Sequence, residues 1–357
     1  MIRAGLVGFG MSGRVFHGPL LSSVDGLELA AVVERHTNIA EQRYPGITTY
    51  RTLEDMLADS SLGLFVVATP SGTHFDTAQQ ILKAGKHLVI DKPMSTSSAE
   101  IAQLMKLAEA GGQLLVPFHN RRWDSDFQTI QKLLHEGSLG HLVSLESRFD
   151  RWRPKAPTDR LWKEDPTCGG GVLLDLGTHL ADQALAFFGK PLAIAADLTC
   201  EREWARVTDA FNLRLRYPHH TVTLGANSLT WPAGPRFHLR GSKGNYVKLG
   251  LDPQEAALNR ITRIDEPRWG QETPAHWGTL HVDMDGAMVT RPVAPIPGDY
   301  RLFYSGVRDT LLGITPPPVI ALDAWRVARL MEWATESSEQ RREIPCDWSQ
   351  EPLEVLN

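Results

Sequence analysis

Ile2-Arg3-Ala4-Gly5-Leu6-Val7-Gly8-Phe9-Gly10-Met11-Ser12-Gly13 decides how the first third of this chain folds. Ile2–Val7 is apolar enough for a buried strand and runs directly into a G-x-G-x-x-G turn. Arg14–Ser22 then reads as a helix. Strand, glycine turn and helix in that order are the context that gives these glycines meaning. Gly8 allows the tight turn, Gly10 lets the backbone approach a pyrophosphate, and Gly13 lets the helix pack close to the strand. The first amides of that helix then face the phosphates. Gly8, Phe9, Gly10, Met11, Ser12 and Gly13 are therefore the expected phosphate-side contacts of a dinucleotide.

Moving outward, Leu29–Val33 is a second apolar strand and ends in Glu34-Arg35. An acidic residue at this distance from the glycines is the expected partner of the adenosine ribose hydroxyls. Glu34 favours NAD by repelling a 2′-phosphate, whereas Arg35 can pair with that phosphate or stack on adenine. The sequence is compatible with NAD or NADP, with a lean toward NAD. The alternation continues through a helix at Leu53–Leu57, a strand at Leu64–Ala68 and a helix at Phe75–Ala84. Thr69, Pro70, Ser71 and His74 fall in the polar loop between the last two, at the edge of the sheet where ligands bind.

His87-Leu88-Val89-Ile90-Asp91-Lys92-Pro93 repeats the strand pattern and stops in a carboxylate, an ammonium and a proline. Proline cannot donate to a sheet ladder, so the strand ends there and Asp91 and Lys92 sit at the ligand edge. Ser97-Ser98-Ala99-Glu100 has the pattern of a capping box, and Leu114–Val116 is one more strand. Residues 1–119 complete a Rossmann domain, leaving 120–357 as a substrate-binding and oligomerisation domain. There the period changes to two. Val143, Leu145, Ser147 and Phe149 alternate with polar residues, as do Phe211–Tyr217 and Val222–Ala226. That pattern predicts an α+β domain with a large open, mainly antiparallel sheet. Pro292–Pro297 and Pro316–Pro318 read as loops, and Tyr300–Leu312 and Leu322–Ser337 as late helices.

Gly169-Gly170-Gly171-Val172-Leu173-Leu174-Asp175-Leu176-Gly177-Thr178-His179-Leu180-Ala181-Asp182 predicts a helix with Asp175, His179 and Asp182 on one face. Burying two carboxylates and an imidazole in a helix otherwise lined with Leu and Ala is costly without partners or a ligand. A metal held by Asp175 and His179 lacks an obvious third ligand, and Lys92 nearby would repel the cation; no metal is expected.

Composition sets outer bounds. The chain has 357 residues, 42% hydrophobic and 22% charged, with net charge -5, a balance for two domains without general affinity for nucleic acid or anionic membrane. No run spans a bilayer. Cys168, Cys200 and Cys346 are scattered, without a C-x-x-C pair, and the start shows no signal-peptide pattern, so a cytoplasmic protein is expected.

Taken together, these motifs resemble the Gfo/Idh/MocA oxidoreductases over nearly the whole chain. GFGMSG at 8–13, ATPSGTHF at 68–75, AGKHLVIDKP at 84–93 and GGGVLLDLGTHLAD at 169–182 carry the resemblance. PFHNRRWDSDFQTI at 117–130 and RFDRWRP at 148–154 are similar to the scyllo-inositol dehydrogenase branch. Asp91 stands where the family usually has Glu. The resemblance implies that Lys92, Asp175 and His179 form the catalytic group, with either Lys92 or His179 as proton acceptor; Asp182, three residues from His179, is expected on that spacing to orient its ring. It implies an NAD(P)-dependent dehydrogenase acting on a secondary hydroxyl of a cyclic polyol or sugar, inositol-like, and a homo-oligomer, dimer or tetramer. Arg122, Trp152, Arg153 and Trp162 supply donors and flat apolar faces suited to a polyhydroxylated ring, and Asp175, as an acceptor, and His179 are expected to contact the substrate as well. Two alternatives remain open at this point: a non-catalytic dinucleotide-binding regulator of the same fold, and a dihydrodiol or unsaturated-substrate reductase.

Overall fold

The computed structural model describes residues 1–158, 161–165, 169–260, 264–284 and 286–352. Strands β1 (Ile2–Val7), β2 (Leu27–Val33), β3 (Thr48–Tyr50), β4 (Leu64–Val67), β5 (His87–Ile90) and β6 (Leu115–Pro117) form one parallel sheet in the order β3-β2-β1-β4-β5-β6. All four residues of β4 are buried, as expected of a strand covered on both faces. The strand order reverses between β1 and β4, and in such sheets ligands bind in the crevice at that reversal. The loops after β1 and β4 therefore flank the binding crevice, with the loop after β5 beside them.

The first domain's helices are α1 (Gly18–Leu21), α2 (Ile39–Arg43), α3 (Leu53–Leu57), α4 (His74–Lys83) and α5 (Ser98–Gly111). The helix expected at Arg14–Ser22 begins instead as a π-helical turn, Gly13–His17, before α1. The capping box at α5 does not form. Ser97 makes no side-chain cap bond; the first amide of α5, Ser98 N, donates to Glu332 across 2.8 Å, and the Ser98 hydroxyl donates to the same carboxylate. A distant glutamate replaces the local cap because its helix packs on α5.

The second sheet contains β7 (Leu142–Arg148), β8 (Ala193–Thr199), β9 (Ala210–Arg216), β10 (Thr221–Asn227), β11 (Phe237–Gly241), β12 (Gly244–Lys248), β13 (Gly278–Met284), β14 (Ala287–Val293) and β15 (Ile344–Pro345). Its order is β14-β13-β12-β11-β7-β10-β9-β8-β15, antiparallel except that β7 and β10 run parallel. Pro292, expected in a loop, lies in edge strand β14, where its missing N–H removes no internal ladder bond. Val143, expected on the apolar face, is half exposed, whereas Leu145, Ser147 and Phe149 are buried.

Helices α6 (Ser125–His135), α7 (Thr178–Phe188), α8 (Gln254–Asn259), α9 (Arg301–Leu311) and α10 (Ala321–Gln340) complete the described residues. One face of the nine-stranded sheet is covered by α6, α7 and the later part of α10, through Ile130, Leu180, Ala184 and Leu330. Helices α9 and α10 also return to the first domain. Phe303, Tyr304 and Val307 pack with Phe16 and Leu20, and Leu322 and Trp325 pack with Leu88 and Ile101. The chain's last helices thus tie the parallel sheet to the second domain and fix the crevice between them.

Candidate active site

The crevice is a cavity of about 800 Å³ running from the glycine turn to the start of α7. At one end, Gly8 has φ +99°, and a Cβ there would meet the Ala68 carbonyl at 2.9 Å. A Cβ on Gly13 would lie 2.3 Å from the Gly8 carbonyl oxygen, whereas one on Gly10 would meet nothing within 4 Å. The turn is thus closed where it packs and open where Gly10 faces the cavity, which fits a pyrophosphate lying against the backbone. Met11, Ser12, Thr69, Pro70 and Ser71 line the same end. Phe9 turns its ring into the core against Tyr44, with centroids 6.2 Å apart, leaving only its main chain for a ligand.

His74 also lines the cavity, yet its ring serves as a tie. Its nitrogens lie 2.8 Å from the carbonyl oxygens of Pro93 and Thr69, and whichever carries the proton donates. The loop after β4 is thereby held to the segment that carries Lys92. Asp91 accepts from the Lys92 amide at 2.8 Å and faces His17 Nε2 at 3.7 Å. Burial pushes the Asp91 carboxyl upward, but His17, Ser12 and Lys92 prevail and hold it well below the usual carboxylate range. The shorter carboxylate at this family position therefore still fixes the backbone of Lys92.

Glu34 is held by hydrogen bonds within the chain. Its position after β2 matches the expected ribose contact, but its carboxylate is buried and turned inward. Oε1 accepts from the Ile39 amide and the Thr37 hydroxyl, and Oε2 accepts from the Ala40 amide. Burial raises its pKa, yet these hydrogen bonds bring it below the ordinary value, so the carboxylate stays charged as an internal cap of α2. Arg35 is exposed beside it.

At the other end of the cavity, the Lys92 ammonium donates to the Asp175 main-chain carbonyl and to Asp175 Oδ1 at 3.1 Å. Lys163 donates to that same oxygen at 2.8 Å. Asp175 lies in a second π-helical turn, Leu173–Gly177, which precedes α7. Burial lowers the Lys92 pKa, opposed by Asp175 and reinforced by Lys163. Burial raises that of Asp175, but Lys92, Lys163 and Arg151 carry it well below the carboxylate range. His179 is buried at the cavity wall. Desolvation first, then Lys92, Arg121 and His119, hold its pKa far below the usual imidazole value, and it is neutral. Its Nδ1 has no hydrogen-bond partner among the described residues. With two ammonium groups on one Asp175 oxygen, a cation between Asp175 and His179 is electrostatically disfavoured.

Two expected roles are reassigned. Asp182 does not orient His179; its carboxylate receives Arg122 Nε at 3.0 Å and Nη2 at 2.6 Å. Arg122 also reaches Asp323 at 2.9 Å, so the guanidinium expected to bind substrate is spent on a bridge between α7 and α10. Trp152 and Arg153 line the mouth of the cavity, Trp152 being 56% exposed. The side chain of Trp162 and Cys168 lie outside the described residues. The cavity adds Arg151, Lys163, Arg121 and Glu255, which sequence reading missed. Arg151 was legible in part, since it stands two positions beyond the alternating Phe149, whereas Lys163 sits in a segment without periodicity.

Residues 2–119 match the GFO_IDH_MocA oxidoreductase family, NAD-binding Rossmann fold, and residues 127–247 match the GFO/IDH/MocA C-terminal domain. The chain belongs to the GFO/IDH/MocA family. The oxidoreductase YdgJ of Escherichia coli is 38% identical over 95% of this chain and 97% of its own length. The scyllo-inositol 2-dehydrogenase (NADP(+)) IolW of Bacillus subtilis is 34% identical over 96% of this chain and 95% of its own. The solved yvaA oxidoreductase of Bacillus subtilis superposes with a TM-score of 0.93 at 33% identity, covering 97% of this chain and 99% of that one. This GFO/IDH/MocA protein is accordingly an oxidoreductase whose first domain is built for NAD or NADP. Among the described residues, no helix is long and apolar enough to cross a membrane.

Proposed function

We propose that this protein is a dehydrogenase oxidising a secondary hydroxyl of a cyclic polyol or sugar, inositol-like, with NADP favoured over NAD. The observation that carries the reading is the ion pair between Lys92 and Asp175, set in the cavity beyond the glycine turn. A bound nicotinamide supplies the hydride acceptor. The rest of the chemistry falls to side chains. Lys92, with a pKa lowered by burial, takes the hydroxyl proton and stabilises the developing alkoxide. His179, already neutral and weakly basic, hydrogen-bonds the same or the adjacent oxygen and is the poorer base. Asp175 accepts from a neighbouring hydroxyl and selects which carbon faces the nicotinamide.

Preference for NADP rests on Glu34 and Arg35. The Glu34 carboxylate is committed to α2, and Arg35 is exposed next to it, so a 2′-phosphate meets a guanidinium instead of a free carboxylate. The NADP dependence in the name of the inositol dehydrogenase relative agrees. The uncovered face of the nine-stranded sheet is the surface through which we expect a homo-oligomer to form.

Lys92→Met tests the site. A general base contributes about 10²- to 10⁴-fold, so kcat should fall by roughly that factor while the Kd for dinucleotide stays near that of the parent. Turnover retained with dinucleotide binding lost would reverse the assignment.

A further inference from the structure

Several cations gather at the catalytic end of the cavity, and most of them have an ion-pair partner. Asp175 is shared by Lys92 and Lys163. Arg121 pairs with Glu255 through Nη2 at 2.5 Å and with Asp124 through Nη1 at 3.3 Å. Arg202 is matched by Asp209 at 2.8 Å. Arg151 is left over. No carboxylate lies within ion-pair distance of its guanidinium among the described residues, and the residue is partly buried in the cavity wall. Its electrostatic neighbours are Arg153, Asp175, Glu255 and Arg121, which puts it at the substrate end, away from the glycine turn.

Its placement is firm. The Arg151 amide donates to the Asn227 carbonyl at 2.8 Å, and its own carbonyl accepts from the Thr230 amide at 3.0 Å. Trp152 bridges to Leu229 immediately after. A guanidinium that lines a cavity from a main chain anchored on the end of β10, and that has no ion-pair partner within reach among the described residues, is a waiting half of an ion pair. Burial and the adjacent Arg153 also lower its pKa from the ordinary guanidinium value, and the more distant Asp175 and Glu255 offset this only in part. A neutral inositol can accept hydrogen bonds from that guanidinium but brings no counter-charge to it.

We infer that the substrate of this site carries an anionic substituent, a carboxylate or a phosphate, that docks on Arg151 while a secondary hydroxyl reaches Lys92. The inference rests on reading the cavity as a dehydrogenase site and narrows its substrate class to acidic sugars or polyols. The anionic group takes no part in the oxidation; it fixes the ring.

Calorimetry on the NADP-saturated protein tests this with D-glucuronate and D-glucose 6-phosphate against D-glucose, and D-galacturonate against D-galactose. Charge-assisted hydrogen bonds add about 1.5–3 kcal/mol, so at least one anionic probe should bind about tenfold or more tightly than its neutral parent. The arm that shows the ratio tells carboxylate from phosphate. Arg151→Gln should bring the ratio close to one, and Arg151→Lys should restore part of it. Equal affinities, no binding by any anionic probe, or a ratio that survives Arg151→Gln would overturn the inference. Nicotinamide absorbance with the same probes separates the two readings. Neutral sugars oxidised without an anionic preference would leave the dehydrogenase standing and remove the anion site. An Arg151-dependent preference without any turnover would do the opposite.

Discussion

Lys92 and Lys163 donate to one oxygen, Asp175 Oδ1, at 3.1 and 2.8 Å. Two ammonium groups on a single carboxylate oxygen compete for it, and each makes the other's proton easier to lose. That arrangement lets a lysine, ordinarily charged at neutral pH, act as a base.

The pH dependence of oxidation follows. Lys92 must be neutral to take the hydroxyl proton, so kcat/KM should rise with pH and level off above a pKa lying below the ordinary 10.5. Lys163→Met removes a repelling cation and leaves Asp175 to Lys92 alone, and both changes raise the Lys92 pKa. The ascending limb should therefore move to higher pH. His179, neutral throughout, should add no inflection near neutrality. Rate profiles of the parent, Lys163→Met and His179→Asn check this; a limb moving to lower pH would contradict it.

Arg122 is assigned to stability. Its removal leaves Asp182, whose side chain is 2% exposed, without its bidentate partner. Breaking a buried pair in this way costs about 3–5 kcal/mol. Arg122→Ala should lower Tm and the urea midpoint, while KM for substrate changes little where the protein is folded. A raised KM at unchanged Tm would return Arg122 to the substrate site.

Dinucleotide choice is assigned to Arg35. Arg35→Ala should raise KM for NADP about tenfold, the worth of one charge-assisted contact, and leave that for NAD nearly unchanged. Glu34→Gln should instead lower stability by about 1 kcal/mol, as expected for a weakened helix cap, with a smaller change in the NADP-to-NAD ratio. Initial rates and thermal melts on both variants distinguish these outcomes.

The fold was legible where one local pattern determined it. Buried parallel strands such as Leu64–Val67 read as continuous apolar runs, and the glycine turn announced both the crevice and its ligand. Lys92, Asp175 and His179 were legible because a strand end and one helix face carry them, and the structure brings all three to the same cavity. Partner choice was not legible. Asp182 shares a face with His179, but Arg122 reaches it from sixty residues away in the chain. Glu34 has the right spacing, but residues 37–40 fold back and claim its oxygens. The parallel β7–β10 pair and the Glu332 cap of α5 arise only from packing between distant segments.

The most direct test of the Lys92–Asp175 centre is nicotinamide absorbance with NADP and NAD across inositols, pyranoses and their acids. Reduction of NADP by a cyclic polyol or sugar, lost in Lys92→Met, is the predicted result. Tight dinucleotide binding with no reduction by any member of the panel would contradict it and favour a dinucleotide-binding regulator on the same fold.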